Sequence, residues 1–127
     1  LSLNLNQVTV PSVDVARAVE FYQRLGLIQM GENLPKYARF VCPDGNSTFS
    51  IHQVGSLPAQ PGVVVYFECD QLDAAVARLK DSGIVFDSAP QDQPWLWREA
   101  YLSDPDGNVI CLYSAGDNRL NPPWRLK

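Results

Sequence analysis

The chain of 127 residues is 46% hydrophobic and 19% charged, a balance that suits one globular domain with enough apolar side chains for a core. Ten Lys and Arg against fourteen Asp and Glu leave a net charge of −4, which argues against a phosphate-backbone partner, so no nucleic acid is expected to bind. The single histidine, His52, excludes every site that needs two imidazoles from one chain, among them the facial iron triad and the His-rich zinc sites.

Leu5 to Val13 alternates polar and apolar residues and predicts a strand. Asp14 then offers a side-chain oxygen to a helix start. Val15, Ala18, Val19, Tyr22 and Leu25 follow at helical spacing, and Gly26 suits the left-handed residue that ends helices. Short strand-like runs fill 27–50. Lys36 to Val41 and Ser47 to His52 flank Pro43-Asp-Gly-Asn46, a hairpin signal because the glycine accepts a positive φ.

The stretch 55–62 is rich in Gly and Pro and reads as a linker. Val63 to Cys69 predicts a β-branched and aromatic strand. Asp70 is the expected cap of a helix carrying Leu72, Ala75, Val76 and Leu79, closed by Gly83. Ile84 to Phe86 is expected to begin another strand, Ser88 to Pro94 to form a loop, and Trp95 to Leu102 to form a strand. In that strand Trp95 and Trp97, two apart, would share a face. Asp104-Pro-Asp-Gly-Asn108 predicts a second hairpin turn before the strand Val109 to Tyr113, and the tail 115–127 is expected to be irregular, with Trp124 docked on the body or on a second subunit.

The two halves repeat. Gly26 and Gly83 are 57 apart, the offset that also aligns Val19 with Val76 and Gln7 with Val64, and the two Pro-Asp-Gly-Asn turns match at an offset of 62. Internal duplication decides the architecture: an α+β domain of two tandem βαβββ modules, module one about 3–54 and module two about 63–114. In each module a helix covers one sheet face and leaves the other free to curl around a ligand.

Asn4-Leu-Asn-Gln-Val-Thr-Val10, the helix from Asp14 to Gly26, Asp70-Gln-Leu-Asp-Ala-Ala-Val76 and Ser103 to Tyr113 together resemble the vicinal oxygen chelate superfamily, which includes glyoxalase I, bleomycin-resistance proteins and extradiol dioxygenases. The resemblance spans roughly Leu3 to Ser114 and implies paired βαβββ modules with a cleft, often completed in a homodimer. Enzymes of that superfamily generally carry a divalent metal on four inward strand positions. The resemblance places Gln7, Ser50, Val64 and Cys111 there. Gln7 is acceptable, since some glyoxalases use Gln, but a serine, a valine and a thiol do not make a hard-cation site. The expectation is therefore a protein without metal or other cofactor, similar to the bleomycin-resistance branch, that sequesters a small aromatic or amphipathic molecule as a homodimer. The alternatives are a lyase, isomerase or dioxygenase-like enzyme with a non-standard or metal-independent site, using Glu68 or His52 as base, and a purely structural domain.

His52 lies two residues after Ser50 and shares its face, either as a cavity group or as an ordinary strand-end histidine. Tyr66 and Glu68 alternate with Val64 and share its face. Glu68 and Arg39 are either an ion pair or polar anchors for a ligand. Cys111 reads as a buried thiol rather than a nucleophile. Trp95, Trp97 and Tyr113 complete the ligand-binding set as stacking surfaces or packing. Of Arg98 and Glu99, alternation sends only one inward, without saying which. No catalytic residue is assigned, and no Walker A, GxGxxG or GxSxG motif is present. Three cysteines without CxxC spacing suggest reduced thiols and a cytoplasmic protein. No apolar run long enough for a membrane span is present, and Leu1 to Asn6 lacks the basic and apolar regions of a signal peptide.

Overall fold

The computed structural model describes residues 4–60 and 62–126. Leu1 to Leu3 at the start of module one, Pro61 of the linker and the last tail residue lie outside the described residues. The strands and helices are β1 (Gln7–Ser12), α1 (Val15–Leu25), β2 (Ile28–Asn33), β3 (Tyr37–Val41), β4 (Thr48–Gln53), β5 (Val64–Glu68), α2 (Leu72–Asp81), β6 (Gln91–Asp92), β7 (Arg98–Ser103) and β8 (Val109–Ser114). They form two mixed four-stranded sheets of the same topology, β1-β4-β3-β2 and β5-β8-β7-β6, as the duplication predicts. In each, the first strand runs parallel to the last and the remaining pairs are antiparallel. No helix among the described residues is long and apolar enough to cross a membrane.

The first compact unit takes β1 to β4 and α1, together with Asp104–Asn108. Asp14 caps α1 by accepting a bond from the Arg17 backbone N–H at 3.1 Å. Gly26 ends the helix at φ +116°, where a Cβ would be strained, and its N–H returns to the carbonyls of Tyr22 and Gln23. The helix lays Val15, Ala18 and Tyr22 against Val10, Ala38, Phe40, Phe49 and Ile51, all buried. Tyr22 packs at the centre, its ring centroid 4.6 Å from that of Phe49 and 6.1 Å from that of Phe40.

The Asp104–Asn108 turn is built into this unit by buried polar bonds. The Tyr22 hydroxyl donates to Asp104 Oδ2 at 2.6 Å. Asp104 also accepts from the backbone N–H groups of Asp106 and Asn108, both at 2.9 Å, and from Asn108 Nδ2 at 2.8 Å. Asn108 Nδ2 donates as well to the Pro11 carbonyl in β1. Asp106 Oδ1 accepts from the Val13 N–H and faces Arg17 at 3.5 Å. Burial, reinforced by the neighbouring Asp104 carboxylate, holds the Tyr22 phenol far above its ordinary range, so it stays a donor.

The second unit takes Gly62–Ser103 and the chain from Val109 onward. The buried side chains Leu72, Val76 and Leu79 of α2 belong to an apolar layer with Val65, Ala100, Leu102, Ile110 and Leu112. Four local expectations are corrected here. Gln71, not Asp70, occupies the cap position of α2 and forms no side-chain cap bond; the first-turn acid is Asp73. Residues 84–86 form no strand: the Asp87 and Ser88 N–H groups both bond the Tyr101 carbonyl, and Pro90 lacks the N–H that a continuing ladder needs. Trp95 and Leu96 lie in the turn between β6 and β7, closed by Leu96 N–H to the Gln93 carbonyl, with Leu96 at φ +69°. The tail contains a 3-10 turn over Gly116–Arg119, and Trp124 beyond it is exposed rather than docked on the described part of this chain.

Removing the Tyr22 hydroxyl in Tyr22→Phe keeps the ring packing and deletes one bond to a buried carboxylate. It should cost about 1.5–3 kcal/mol in urea denaturation, and Asp104→Ala, which strips four donors of their acceptor, should cost more.

Candidate functional site

Strand alternation sends Val8, Val10 and Ser12 of β1 toward α1 and leaves Gln7, Thr9 and Pro11 on the opposite face. The register places Gln7 beside Thr48, then Thr9 beside Ser50 and Arg39, then Pro11 beside His52 and Tyr37. This face is polar and bonded to itself. Gln7 Nε2 donates to Ser50 Oγ at 3.0 Å and to Thr9 Oγ1 at 3.3 Å, while Thr48 Oγ1 donates to Gln7 Oε1. Arg39 reaches Thr48 Oγ1 at 3.3 Å. Gln7 is thus joined directly to Ser50 and through Thr48 to Arg39. His52, at the end of the same face, is exposed and stands apart from these bonds.

The face of the second sheet away from α2 is chemically different. Its rows read Val64–Val109–Ser103, Tyr66–Cys111–Tyr101 and Glu68–Tyr113–Glu99. Trp97, just before β7, stacks on Tyr113 with ring centroids 4.5 Å apart and an interplanar angle of 16°. Tyr66 meets both rings edge-on, at 6.0 Å from Trp97 and 5.7 Å from Tyr113. The indole N–H of Trp97 donates to the Asn118 carbonyl at 3.4 Å, fixing the 3-10 turn to this end of the sheet. Val64 and Tyr66 remain exposed, as does Glu68, which enters no ion pair among the described residues.

Glu99, rather than Arg98, turns to this face, and it is 2% exposed. Its Oε2 accepts from Trp95 Nε1 at 2.9 Å and its Oε1 from the Tyr101 hydroxyl at 3.0 Å. Arg98 points to the other side, where Asp73 and Asp92 bind it at 2.8 and 3.0 Å beside a depression of about 240 Å³ at the start of α2. Trp95 and Trp97 therefore do not share a strand face; Trp95 reaches the site from the turn as a donor to Glu99. The signal that would have assigned Glu99 and Tyr101 is the pair Ala100 and Leu102, whose small and apolar side chains belong on the helix side.

The sequence model of the Glyoxalase/Bleomycin resistance protein/Dioxygenase superfamily matches residues 4–112. The chain belongs to that superfamily. Among solved structures, a glyoxalase/bleomycin resistance protein/dioxygenase from Nocardioides superposes with a TM-score of 0.80 at 23% identity, over 100% of this chain and 91% of that one. A bleomycin-binding protein complexed with bleomycin gives 0.73 at 23% identity, over 89% and 98%. TioX from Micromonospora sp. ML1 gives 0.71 at 18%, over 88% and 98%. No curated protein matches in sequence. At these identities the structural likeness establishes the fold.

The side chains that the resemblance assigns to metal-holding places, Gln7 and Ser50 in the first sheet and Val64 and Cys111 in the second, are poor ligands for a hard cation. Val64 has no lone pair. The amide of Gln7 is engaged by Thr48, Thr9 and Ser50. Cys111 is fully buried, and burial, with the charge of Glu99 adding to it, pushes its thiol up to about 12, away from the thiolate a metal requires. Among the described residues no three His, Cys, Asp or Glu side chains gather in a metal-binding group.

Burial likewise raises the phenols of Tyr101 and Tyr113, and the thiols of Cys42 and Cys69. For all of these the native state favours the neutral form. Their contribution is intact below the unfolded pKa values, about 8.5 for Cys and 10 for Tyr, and is lost as pH rises through the raised native ones. The urea midpoint should accordingly hold steady from pH 6 to 8 and fall from about pH 9 upward. At pH 8, iodoacetamide followed by peptide mass spectrometry should find Cys111 alkylated last, and only as the protein unfolds.

Proposed function

We propose that this protein binds a small aromatic or amphipathic molecule on the face of its second sheet away from α2 and sequesters it without metal or other cofactor, as a homodimer in the cytoplasm. The observation that carries the reading is the group Tyr66, Trp97 and Tyr113, an aromatic surface on a sheet face that α2 does not cover, with Tyr66 exposed. Such rings offer large apolar area and a preferred stacking geometry at little cost in side-chain entropy. The metal places filled by Val64 and a protonated Cys111 support binding over the metal-dependent reactions of the superfamily. A structural neighbour that holds bleomycin supports the same direction.

Gln7, Arg39 and Ser50 of the first sheet, with His52 at their margin, form a separate polar face whose hydrogen bonds are largely made within it. Conversion of the ligand by Glu68 or His52 as a base is the weaker reading, because both are exposed and no side chain among the described residues hydrogen-bonds either.

Titration with a panel of planar aromatic compounds, followed by tryptophan fluorescence and melting temperature, should give saturable quenching and a raised midpoint for at least one class. Trp97→Ala and Tyr66→Ala should each weaken that binding by about 1–3 kcal/mol, roughly 5- to 150-fold in Kd, while circular dichroism keeps the wild-type fold. A panel that leaves both fluorescence and melting unchanged would remove the proposal.

A further inference from the structure

A carboxylate taken out of water is ordinarily matched by a cation or a metal. Glu99 has neither among the described residues. Its two hydrogen bonds come from neutral rings, the indole of Trp95 and the phenol of Tyr101. The adjacent Arg98 faces away and is shared by Asp73 and Asp92. Arg119, whose charge is felt by Tyr113, is exposed on the 3-10 turn and forms no ion pair with Glu99.

The surroundings of this uncompensated charge are aromatic. Tyr101 and Trp97 pack against the buried group of Cys111, Tyr113 and Ala115, and Tyr66 lies edge-on to Trp97 and Tyr113. Trp95, which bonds Glu99, is about half exposed, as is Tyr66 in the adjoining ring group, so aromatic surface reaches solvent beside the buried acid. The face of an indole or phenol attracts cations. A ring that donates its N–H or O–H to a carboxylate is polarised further, with more electron density on that face. The field of Glu99 and the ring quadrupoles therefore favour the same kind of charge, and Glu68, in register with Tyr113, adds a second negative group at the surface.

We infer that the molecule bound on this face is an organic cation: an ammonium group on an aromatic or apolar body, its charge over the rings and Glu99 as the counter-charge beneath them. The inference rests on the binding reading of the same face and names the ligand class.

Three probes of similar size separate the two. Benzyltrimethylammonium, 2-phenylethanol and phenylacetate are titrated into the full chain with tryptophan fluorescence and ligand-observed NMR as readouts. The cation should bind about tenfold tighter than the neutral alcohol, with the anion weakest, and this preference should shrink as salt rises. In Glu99→Gln, of nearly the same shape, the ratio of cation to alcohol affinity should collapse toward one. Equal affinity of cation and alcohol for the wild-type chain would overturn the inference and leave the binding proposal standing. Binding of none of the three up to the millimolar range would overturn both. A wild-type ratio retained in Glu99→Gln would remove Glu99 from the account; should that variant fail to fold, the wild-type ratio and its salt dependence decide.

Discussion

A four-stranded sheet has two faces, and a helix of ten or eleven residues is wide enough to cover one of them. Both halves of this chain meet that constraint alike. One set of alternating positions along each strand is apolar and packs under a helix, and the opposite set lies on the face that the helix leaves uncovered. The covered sets have nearly interchangeable chemistry, Val10, Phe49 and Ile51 in one sheet and Val65, Leu102 and Ile110 in the other. Stability resides there. What the protein does to its surroundings is left to the uncovered sets, which are free to differ.

They do differ. In the first sheet the uncovered set is Gln, Thr, Ser and Arg, and its hydrogen bonds are largely satisfied within the set, so it asks little of a ligand. In the second the corresponding positions carry Val64, Tyr66, Cys111 and Tyr113, with Glu99 and Tyr101 from the adjoining strand. Superfamily membership explains why these positions face the same way. It does not supply their chemistry, which here comes from side chains such as an isopropyl group and a buried thiol that are poor ligands for a hard cation.

Much of the fold was legible because a few residues have little freedom. A glycine in the left-handed region after a run of helical spacing, an Asp one residue before it begins, and Pro-Asp-Gly-Asn between alternating segments each allow few structures. The repeat offset of 57 then fixed the topology. The misreadings fall where pattern is shared by alternative structures. Ile84 to Phe86 alternates as a strand would, yet the backbone N–H groups that follow it, of Asp87 and Ser88, both go to the single carbonyl of Tyr101 and start no ladder. Trp95 and Trp97 are spaced like strand neighbours, but a turn closes between them with Leu96 at positive φ, a conformation no sequence rule favours for leucine. The choice between Arg98 and Glu99 stayed open because alternation sets only a period; its phase comes from the residues that pack on the helix side, here Ala100 and Leu102.

The turn at Asp104–Asn108 has a consequence for how the protein is made. The first unit is not a contiguous stretch of chain: its buried carboxylate and the acceptor facing Arg17 come from residues that follow most of the second unit in sequence. During synthesis from the N-terminus, β1 to β4 and α1 emerge with the Tyr22 hydroxyl lacking its acceptor, and they wait through more than forty further residues, 62 to 103, before it arrives. The first half therefore cannot complete its own interior until the hairpin that joins β7 to β8 has been made.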